Sequence, residues 1–485
     1  MDFPITGVIL LLIGAYSFFF SPRLLYATMV FVIPFSATAI VNIGWGADQK
    51  GISAWIFFAV LWLLQSSLGS SRSGKKWGWK ETKDSRYQLY RFLLAVLASL
   101  SVPFILSGTI TVKYFRLNSN EGTPLHLSFE HFTQFAYLAI GVLVTIFVAA
   151  KNCELKTFVN SVKIYICSTL VLAAWGAFQF WCNISGVEYP SYLFNTNLTD
   201  TAQLFNEQVH ELGLSRISSA AVEPSIFAQA CLIAGILLMV AIGLRKPIFS
   251  RTWDWMAILL LLTVLILSTS TTAYFGLAMA LLVTLFTLYR ARSLNKLYLV
   301  LGAAAGIAVL TASLAVPFIQ DFVSVQIAGK ADTGSGLERL YSIYLAGHYF
   351  LDYPVLGLGW GSVITADLAL KLLSNTGLVG FIVFVIFLIG LFKLLWRATE
   401  SGNYWSLLFF AVFSLMVVLS EVTGFAYATG HLWFVLGLAV AAPYLSRGQL
   451  SMASIRALSS KLKGSQLRAM GGLLPPASPA TEFPQ

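Results

Sequence analysis

The stretch EPSIFAQACLIAGILLMVAIG, residues 223–243, decides the fold class, because no residue in it after Glu223 carries a charge. About 20 apolar residues are enough for a helix to cross a hydrocarbon layer of about 30 Å. Similar stretches recur along the 485-residue chain, in which 57% of residues are hydrophobic and 11% are charged, with a mean hydropathy of +0.77. The sequence therefore predicts an all-α polytopic membrane protein.

Further apolar windows predict about 12 to 13 transmembrane helices, and the count depends on two pairs of windows that few residues separate. The windows lie near residues 4–20, 24–43, 52–69, 89–110, 131–150, 158–182, 223–243, 253–269, 271–289, 297–319, 376–396, 404–421 and 427–446. The N-terminus lacks the positively charged region of a cleavable signal peptide, so we expect the first window to be a membrane span.

The orientation is predicted from Lys and Arg, which accumulate in short loops on the cytoplasmic side. The loop after the third span is basic, and the loops near Arg245 and Arg290 agree with the alternation. The basic residues of the first of these loops are Arg72, Lys75, Lys76, Lys80, Lys83 and Arg86. The two longest loops, 183–222 and 320–375, are acidic on balance and are therefore expected to face outward.

Residues 1–446 are predicted to form a single transmembrane domain, followed at 447–485 by a basic and then proline-rich cytoplasmic tail that we expect to be disordered. The accumulation of Lys and Arg on the cytoplasmic side accounts for the net charge of +10. Membrane lipid rather than nucleic acid is therefore the expected partner. The four cysteines lack metal-ligand spacing, and no nucleotide-binding motif occurs. We therefore expect no metal and no cofactor.

The outer end of the seventh predicted span carries candidate phosphate-binding residues. Pro224 suits the first helical turn, and the apolar run after Ser225 forms the span, so the N-terminus of this helix faces outward. A helix N-terminus carries partial positive charge, which together with Arg216 favours a phosphate or diphosphate. The alternative is ordinary helix capping by Glu223 and Ser225.

The hairpin STSTTAYFG, residues 268–276, repeats this arrangement at the start of the ninth predicted span. Ser270, Thr271 and Tyr274 are candidate substrate contacts there. The alternative for each is that it satisfies backbone groups at a tight turn between two spans.

The second long loop contains GSGLERLYSIYLAGHYFLDYPVLGLGWGS, residues 334–362, which predicts a short amphipathic helix at 337–350 lying along the membrane interface. Helical phase places His348 on the side opposite to Arg339, and Pro354 ends the helix. The glycines that follow permit a tight return toward the next span. The predicted apolar face consists of Leu337, Leu340, Tyr341, Tyr344 and Leu345.

Together these features resemble the O-antigen polymerase and O-antigen ligase superfamily of bacterial envelope glycosyltransferases. The resemblance covers residues 215–385 and rests on the Arg-bearing outer loop, the STSTTAYFG hairpin, Gly-Ser-Gly with Arg339, YPVLGLGWGS and LLSNTGLVGFIVF. It implies transfer of a glycan from an undecaprenyl diphosphate carrier at the periplasmic face of the inner membrane, without nucleotide or metal. It also implies a chain-length regulator and a flippase as partners.

The resemblance favours the polymerase branch over the ligase branch. Ligases carry a His-Asn pair about ten residues before the Gly that closes the pattern, and those positions are Ala366 and Asp367 here. Ligases also often have Arg after the serine of the hairpin, where this chain has Thr271. An O-antigen ligase acting on lipid A core remains an alternative, as does a polytopic transporter of a solute or a lipid-linked sugar.

The implied chemistry displaces a diphosphate from an anomeric carbon by a sugar hydroxyl. An Arg side chain stays charged, and its guanidinium can bind two phosphate oxygens at once. Arg216 and Arg339 are therefore predicted to stabilise the leaving group. Glu223 is the first candidate for the base, ahead of Glu338 and Asp352. The predicted substrate-binding residues are Pro224, Ser225, Ser270, Thr271, Tyr274, Gly336, Glu338, Tyr341, Gly357, Gly359 and Asn375.

Overall fold

The computed structural model describes residues 1–44, 50–69, 77–113, 122–198, 216–268, 270–293, 334–424 and 427–445. Within these ranges the chain is mostly helical, and seven helices are long and apolar enough to cross a membrane. The structure thus confirms the coarse prediction of a helical, multi-pass membrane protein. The predicted span at 297–319 and the tail at 447–485 lie outside the described residues.

The helices are numbered here in chain order. The first eight are α1 (Ile5–Phe20), α2 (Pro22–Val32), α3 (Ala54–Gly69), α4 (Lys83–Ser99), α5 (Ser101–Ile105), α6 (Phe129–Lys151), α7 (Leu155–Ser185) and α8 (Ser191–Phe194). The others are α9 (Pro224–Gly243), α10 (Arg251–Leu267), α11 (Thr271–Arg290), α12 (Gly334–Asp352), α13 (Leu368–Glu400), α14 (Tyr404–Thr423) and α15 (Gly430–Ala441). The seven candidate spans are Lys83–Ile105, α6, α7, α9, α11, α13 and Tyr404–Val422.

Two short antiparallel hairpins interrupt the helices, so the chain is not purely α-helical. They pair β1 (Ala39–Ile43) with β2 (Lys50–Ser53), and β3 (Thr111–Lys113) with β4 (Gly122–Pro124). The first hairpin shows that the second predicted span, 24–43, was wrong, because α2 ends at Val32. Pro34 has no N–H to continue the helix, and the apolar residues beyond it form a strand instead.

Helix α9 lies at the centre of the packing. It contacts α7, α10, α11 and α14. In its most apolar 18-residue segment 72% is buried inside the protein, against 28% in the corresponding segment of α13. Helix α13 packs on α4, α12 and α14, while α15 packs on α6. Among the described residues, four helices therefore pack around α9, whose N-terminus was predicted to bind phosphate.

Basic loops gather at one end of this bundle. Arg290 at the end of α11 forms a 3.1 Å ion pair with Glu400 at the end of α13. The ammonium of Lys246, in the loop after α9, lies 5.4 Å from the ring centroid of Tyr404 at the start of α14. The N-termini of α9, α11 and α13 therefore lie at the opposite end of the bundle.

Helix α12 confirms the helix predicted at 337–350, but its packed side differs from the predicted apolar face. Leu340 and Tyr344 are each 57% exposed, whereas Ala346 is fully buried and Tyr349 is 9% exposed. The latter two pack against β3 and against the glycine-rich loop that follows α12. The hydroxyl of Tyr349 also accepts a 2.8 Å hydrogen bond from the N–H of Lys113. Tertiary contacts, rather than the number of apolar residues, decide which side is buried.

Helix α13 begins eight residues before the predicted span and is broken at Gly377, where φ is 61° and ψ is −165°. The preceding loop satisfies the backbone groups freed by the break. The N–H of Leu378 donates to the carbonyl of Pro354 at 2.8 Å, and the N–H of Leu358 donates to the carbonyl of Ser374 at 2.8 Å. The glycine-rich return and the broken helix therefore form one structural unit.

Candidate functional site

Arg216 and Arg339 meet beside the N-terminus of α9. Burial, and next the positive charge of Arg339, lower the pKa of Arg216, while Glu223 and Tyr274 oppose this shift. Electrostatic effects of this kind need short separations, since solvent screens distant charges. The structure thus brings the three predicted catalytic residues and Tyr274 to one place at the end of the bundle.

The segment that carries Arg216 is fixed to two neighbouring elements. The side-chain carbonyl of Gln179 on α7 accepts hydrogen bonds from the N–H groups of Ser218 and Ser219, at 3.2 and 2.7 Å. The N–H of Val222 donates to the hydroxyl of Ser36 at 3.1 Å. Arg216 therefore precedes a segment of defined conformation that leads directly into α9.

The N-terminus of α9 has the predicted Pro224 in its first turn, with Glu223 as the N-cap residue. The carboxylate of Glu223 makes no capping hydrogen bond and instead accepts one from the hydroxyl of Ser225 at 2.8 Å. Capping by the Glu223 side chain, the alternative considered from the sequence, is therefore not observed. The carboxylate lies beside the helix end, close enough to Arg216 to act on its charge.

The fourth residue of this cluster, Tyr274, lies in the first turn of α11. Ser270 is the N-cap residue but makes no side-chain capping bond, and Thr271 is the first helical residue. The hydroxyl of Tyr274 donates a 3.0 Å hydrogen bond to the carbonyl of Ile266 at the end of α10. This bond holds the tyrosine across the hairpin, on the side where Arg216 lies.

Arg339 lies on the packed side of α12. It is seven residues before the buried Ala346, and seven residues are nearly two helical turns, so both project from the same side. His348 is exposed and its ring lies 4.3 Å from that of Tyr344, which confirms that it turns away from Arg339. The stacking partner of Tyr341 is the same Tyr344, at 6.2 Å.

Two predicted substrate contacts and one predicted base belong to α12. The side chains of residues 334–338 lie outside the described part of the structure, so Gly336 and Glu338 stay predictions. Asp352, the weaker candidate base, is exposed at the last position of α12.

Gly357, Gly359 and Asn375 build the loop. Asn375 is fully buried, and its side-chain carbonyl accepts hydrogen bonds from the N–H groups of Gly361 at 3.1 Å and Val363 at 3.0 Å. Its side-chain NH2 donates to the carbonyls of Val363 and Lys371. Both glycines have positive φ, and a Cβ on Gly357 would lie 2.5 Å from the carbonyl oxygen of Ser374. These residues position the loop, and their contact with substrate stays a prediction.

Sequence reasoning missed Lys371, because it placed residues 320–375 in an outer loop. In the structure Lys371 lies in the second turn of α13, is 8% exposed, and has its ammonium 5.1 Å from the ring centroid of Tyr427. The spacing of Leu368, Leu372 and Asn375 around it was the available signal, since positions i, i+4 and i+7 share one helix face.

Comparison with protein-family models gives no match, and comparison with curated proteins gives none either. Among the described residues, no group of three or more His, Cys, Asp or Glu side chains lies together in a way that could hold a metal ion. The resemblance to glycan polymerases and ligases therefore stays a prediction carried by the residues themselves.

Proposed function

We propose that the chain polymerises undecaprenyl-diphosphate-linked oligosaccharide repeat units of an O-antigen, capsule or exopolysaccharide, at the periplasmic face of a bacterial inner membrane. The observation that carries the proposal is the convergence of Arg216 and Arg339 beside the N-terminus of α9. Two neighbouring arginines repel each other and favour a ligand with more than one negative charge. A diphosphate attached to a membrane lipid has that charge and reaches the site from the bilayer.

The proposed step is a displacement at the anomeric carbon of the donor sugar. A hydroxyl oxygen of the acceptor sugar bonds to this carbon, and the bond from the carbon to the diphosphate oxygen breaks with its electron pair. Arg216 and Arg339 stabilise the charge that grows on the leaving diphosphate. Glu223 takes the hydroxyl proton, and the 2.8 Å hydrogen bond from Ser225 orients its carboxylate.

The distribution of charge supports an outer location of this site. The loops that carry Lys246 and Arg290 lie at the end of the bundle opposite to the arginine pair. Because basic short loops mark the cytoplasmic side, the arginine pair is then assigned to the external side. Repeat units linked to a lipid carrier are assembled into long chains on that side, according to the resemblance.

A polytopic carrier is the second candidate, and one observation favours it. Helix α13 is broken at Gly377 and holds the buried Lys371 near its start. Discontinuous helices and buried ionisable groups are typical of substrate sites in transporters. A carrier moves its substrate without changing any covalent bond, which separates the two functions experimentally.

The test uses the purified full-length chain in lipid nanodiscs with undecaprenyl-diphosphate-linked repeat units. A polymerase gives a ladder of longer glycans on gel electrophoresis without any other acceptor. A ladder that appears only after a lipid A core acceptor is added would instead identify a ligase. Unchanged repeat units, from folded protein that moves them across liposomes, would identify a carrier and contradict the proposal.

A further inference from the structure

Lys371 occupies a position where the fold buries apolar side chains. Its neighbours on the same side of α13 are Leu368 at 7%, Leu372 at 1% and Asn375 at 0% exposure. An ammonium in such a stripe costs several kcal/mol unless a partner compensates its charge. Methionine or leucine would fill this position without that cost, so the lysine needs an explanation other than packing.

No carboxylate compensates Lys371 in the part of the chain that the structure describes. The ion pair found there joins Arg290 and Glu400, at the far end of α13. Asp367, one turn before Lys371, uses its carboxylate to accept a 2.6 Å hydrogen bond from the N–H of Leu370. That carboxylate caps the helix rather than pairing with the ammonium.

A second donor without an acceptor lies beside the same aromatic ring. Trp360 is fully buried, and its indole N–H has no hydrogen-bond partner among the described residues. The rings of Trp360 and Tyr427 are 5.0 Å apart, and the ammonium of Lys371 is 5.1 Å from the ring of Tyr427. The hydroxyl of Tyr427 donates a hydrogen bond to the side chain of Gln134.

We propose that Lys371 and Trp360 form a binding site for an oxyanion, either a carboxylate of the glycan or a phosphate of the lipid carrier. An anionic oxygen is the group that accepts hydrogen bonds from both donors and neutralises the buried charge. The inference extends the proposed function, because it gives the polymerase a second anion contact besides Arg216 and Arg339.

The test is isothermal titration of the purified full-length chain with glucuronate and, separately, with inorganic pyrophosphate. Lys371→Met keeps an unbranched side chain of nearly the same length and removes its charge, while Trp360→Phe keeps an aromatic ring and removes the N–H. Lys246→Met is the matched control, because Lys246 also lies over a tyrosine ring, at 5.4 Å, but at the other end of the bundle.

We expect Lys371→Met to weaken the binding of one of the two anions at least about tenfold and Trp360→Phe to weaken the binding of the same anion. Lys246→Met should leave the affinity for that anion unchanged. If the two variants lose glucuronate binding, the ligand is a carboxylate of the glycan. If they lose one class of pyrophosphate sites, the ligand is a phosphate. Thermal unfolding at or above the wild-type temperature shows that Lys371→Met is folded.

The site is overturned if Lys371→Met binds both anions as tightly as the wild type, or if the wild type binds neither anion. Arg339→Gln separates this outcome from failure of the proposed function. If Arg339→Gln keeps full glycan elongation, the proposed function fails. The calorimetric comparison of the wild type with Lys371→Met still decides whether the oxyanion site exists.

Discussion

Burial, and next the positive charge of Arg339, lower the pKa of Arg216, although more than a hundred residues separate the two arginines in sequence. The backbone beside each of the two arginines is held by other contacts. Gln179 anchors the segment that follows Arg216, and Ala346 and Tyr349 pack the helix that carries Arg339. The fold therefore maintains a repulsion between like charges, which a bound multivalent anion would relieve.

This repulsion predicts that Arg339→Gln keeps or raises the stability of the free protein and lowers its response to pyrophosphate. The variant should unfold at the same temperature as the wild type or above it, because one of two like charges is gone. Pyrophosphate should raise the unfolding temperature of the wild type more than that of the variant, since binding to the folded state stabilises it. Thermal unfolding in detergent measures the unfolding temperature of each protein with and without pyrophosphate. An equal increase in the two proteins would contradict a diphosphate site at the arginine pair.

Gly377→Ala should destabilise the protein strongly. The residue has φ of 61°, and an added Cβ would lie 2.2 Å from the backbone of Val355. The backbone strain alone is worth about 1 to 3 kcal/mol, and the clash adds to it. Gly347→Ala is the matched control, because a Cβ there meets nothing within 4 Å. Unfolding temperatures should fall for the first variant and not for the second; equal values would argue against the break in α13.

Asn375→Ala should loosen the glycine-rich loop without unfolding the bundle. The change leaves the half-buried N–H of Gly361 and the buried N–H of Val363 without acceptors, at about 1 to 3 kcal/mol for a buried group. Hydrogen exchange followed by mass spectrometry should show faster exchange in residues 357–363 and unchanged exchange in α9. Unchanged exchange in the loop would mean that the amide of Asn375 does not hold it.

Asp367 predicts a specific pH dependence. Burial raises the pKa of its carboxyl, and the hydrogen bond from Leu370 opposes this only in part. The folded state therefore holds the proton more tightly than the unfolded state, so stability contributed by this group falls as pH rises from about 4 through the folded pKa. Asp367→Asn removes this loss and still caps the helix. Unfolding temperatures from about pH 4 to 7 should decline less in the variant than in the wild type. A parallel decline would exclude Asp367 as the source.

Local sequence patterns predicted those parts of the fold that depend on one segment at a time. The run after Pro224 becomes α9, the helix predicted at 337–350 becomes α12, and helical phase correctly turns His348 away from Arg339. Each of these features follows from composition and periodicity within about 20 residues.

The features that sequence reasoning missed depend on contacts between distant segments. Ala346 is buried and Leu340 is exposed because the β3 hairpin and the glycine-rich loop cover one side of α12. The break at Gly377 exists because residues 354–358 supply the partners for its free backbone groups. Lys371 is a different case: the helical spacing of Leu368, Leu372 and Asn375 was present in the sequence, but the predicted span began only at residue 376, whereas α13 begins at Leu368.

The most direct test of the central claim is the in vitro elongation assay with Arg339→Gln and Arg251→Gln compared in one experiment. Arg251 is the matched control, because it is an exposed arginine at the start of α10, at the end of the bundle that carries the basic loops. We predict a ladder of longer glycans from the wild type and from Arg251→Gln, and none from folded Arg339→Gln. A full ladder from Arg339→Gln would contradict a catalytic site built on Arg216 and Arg339.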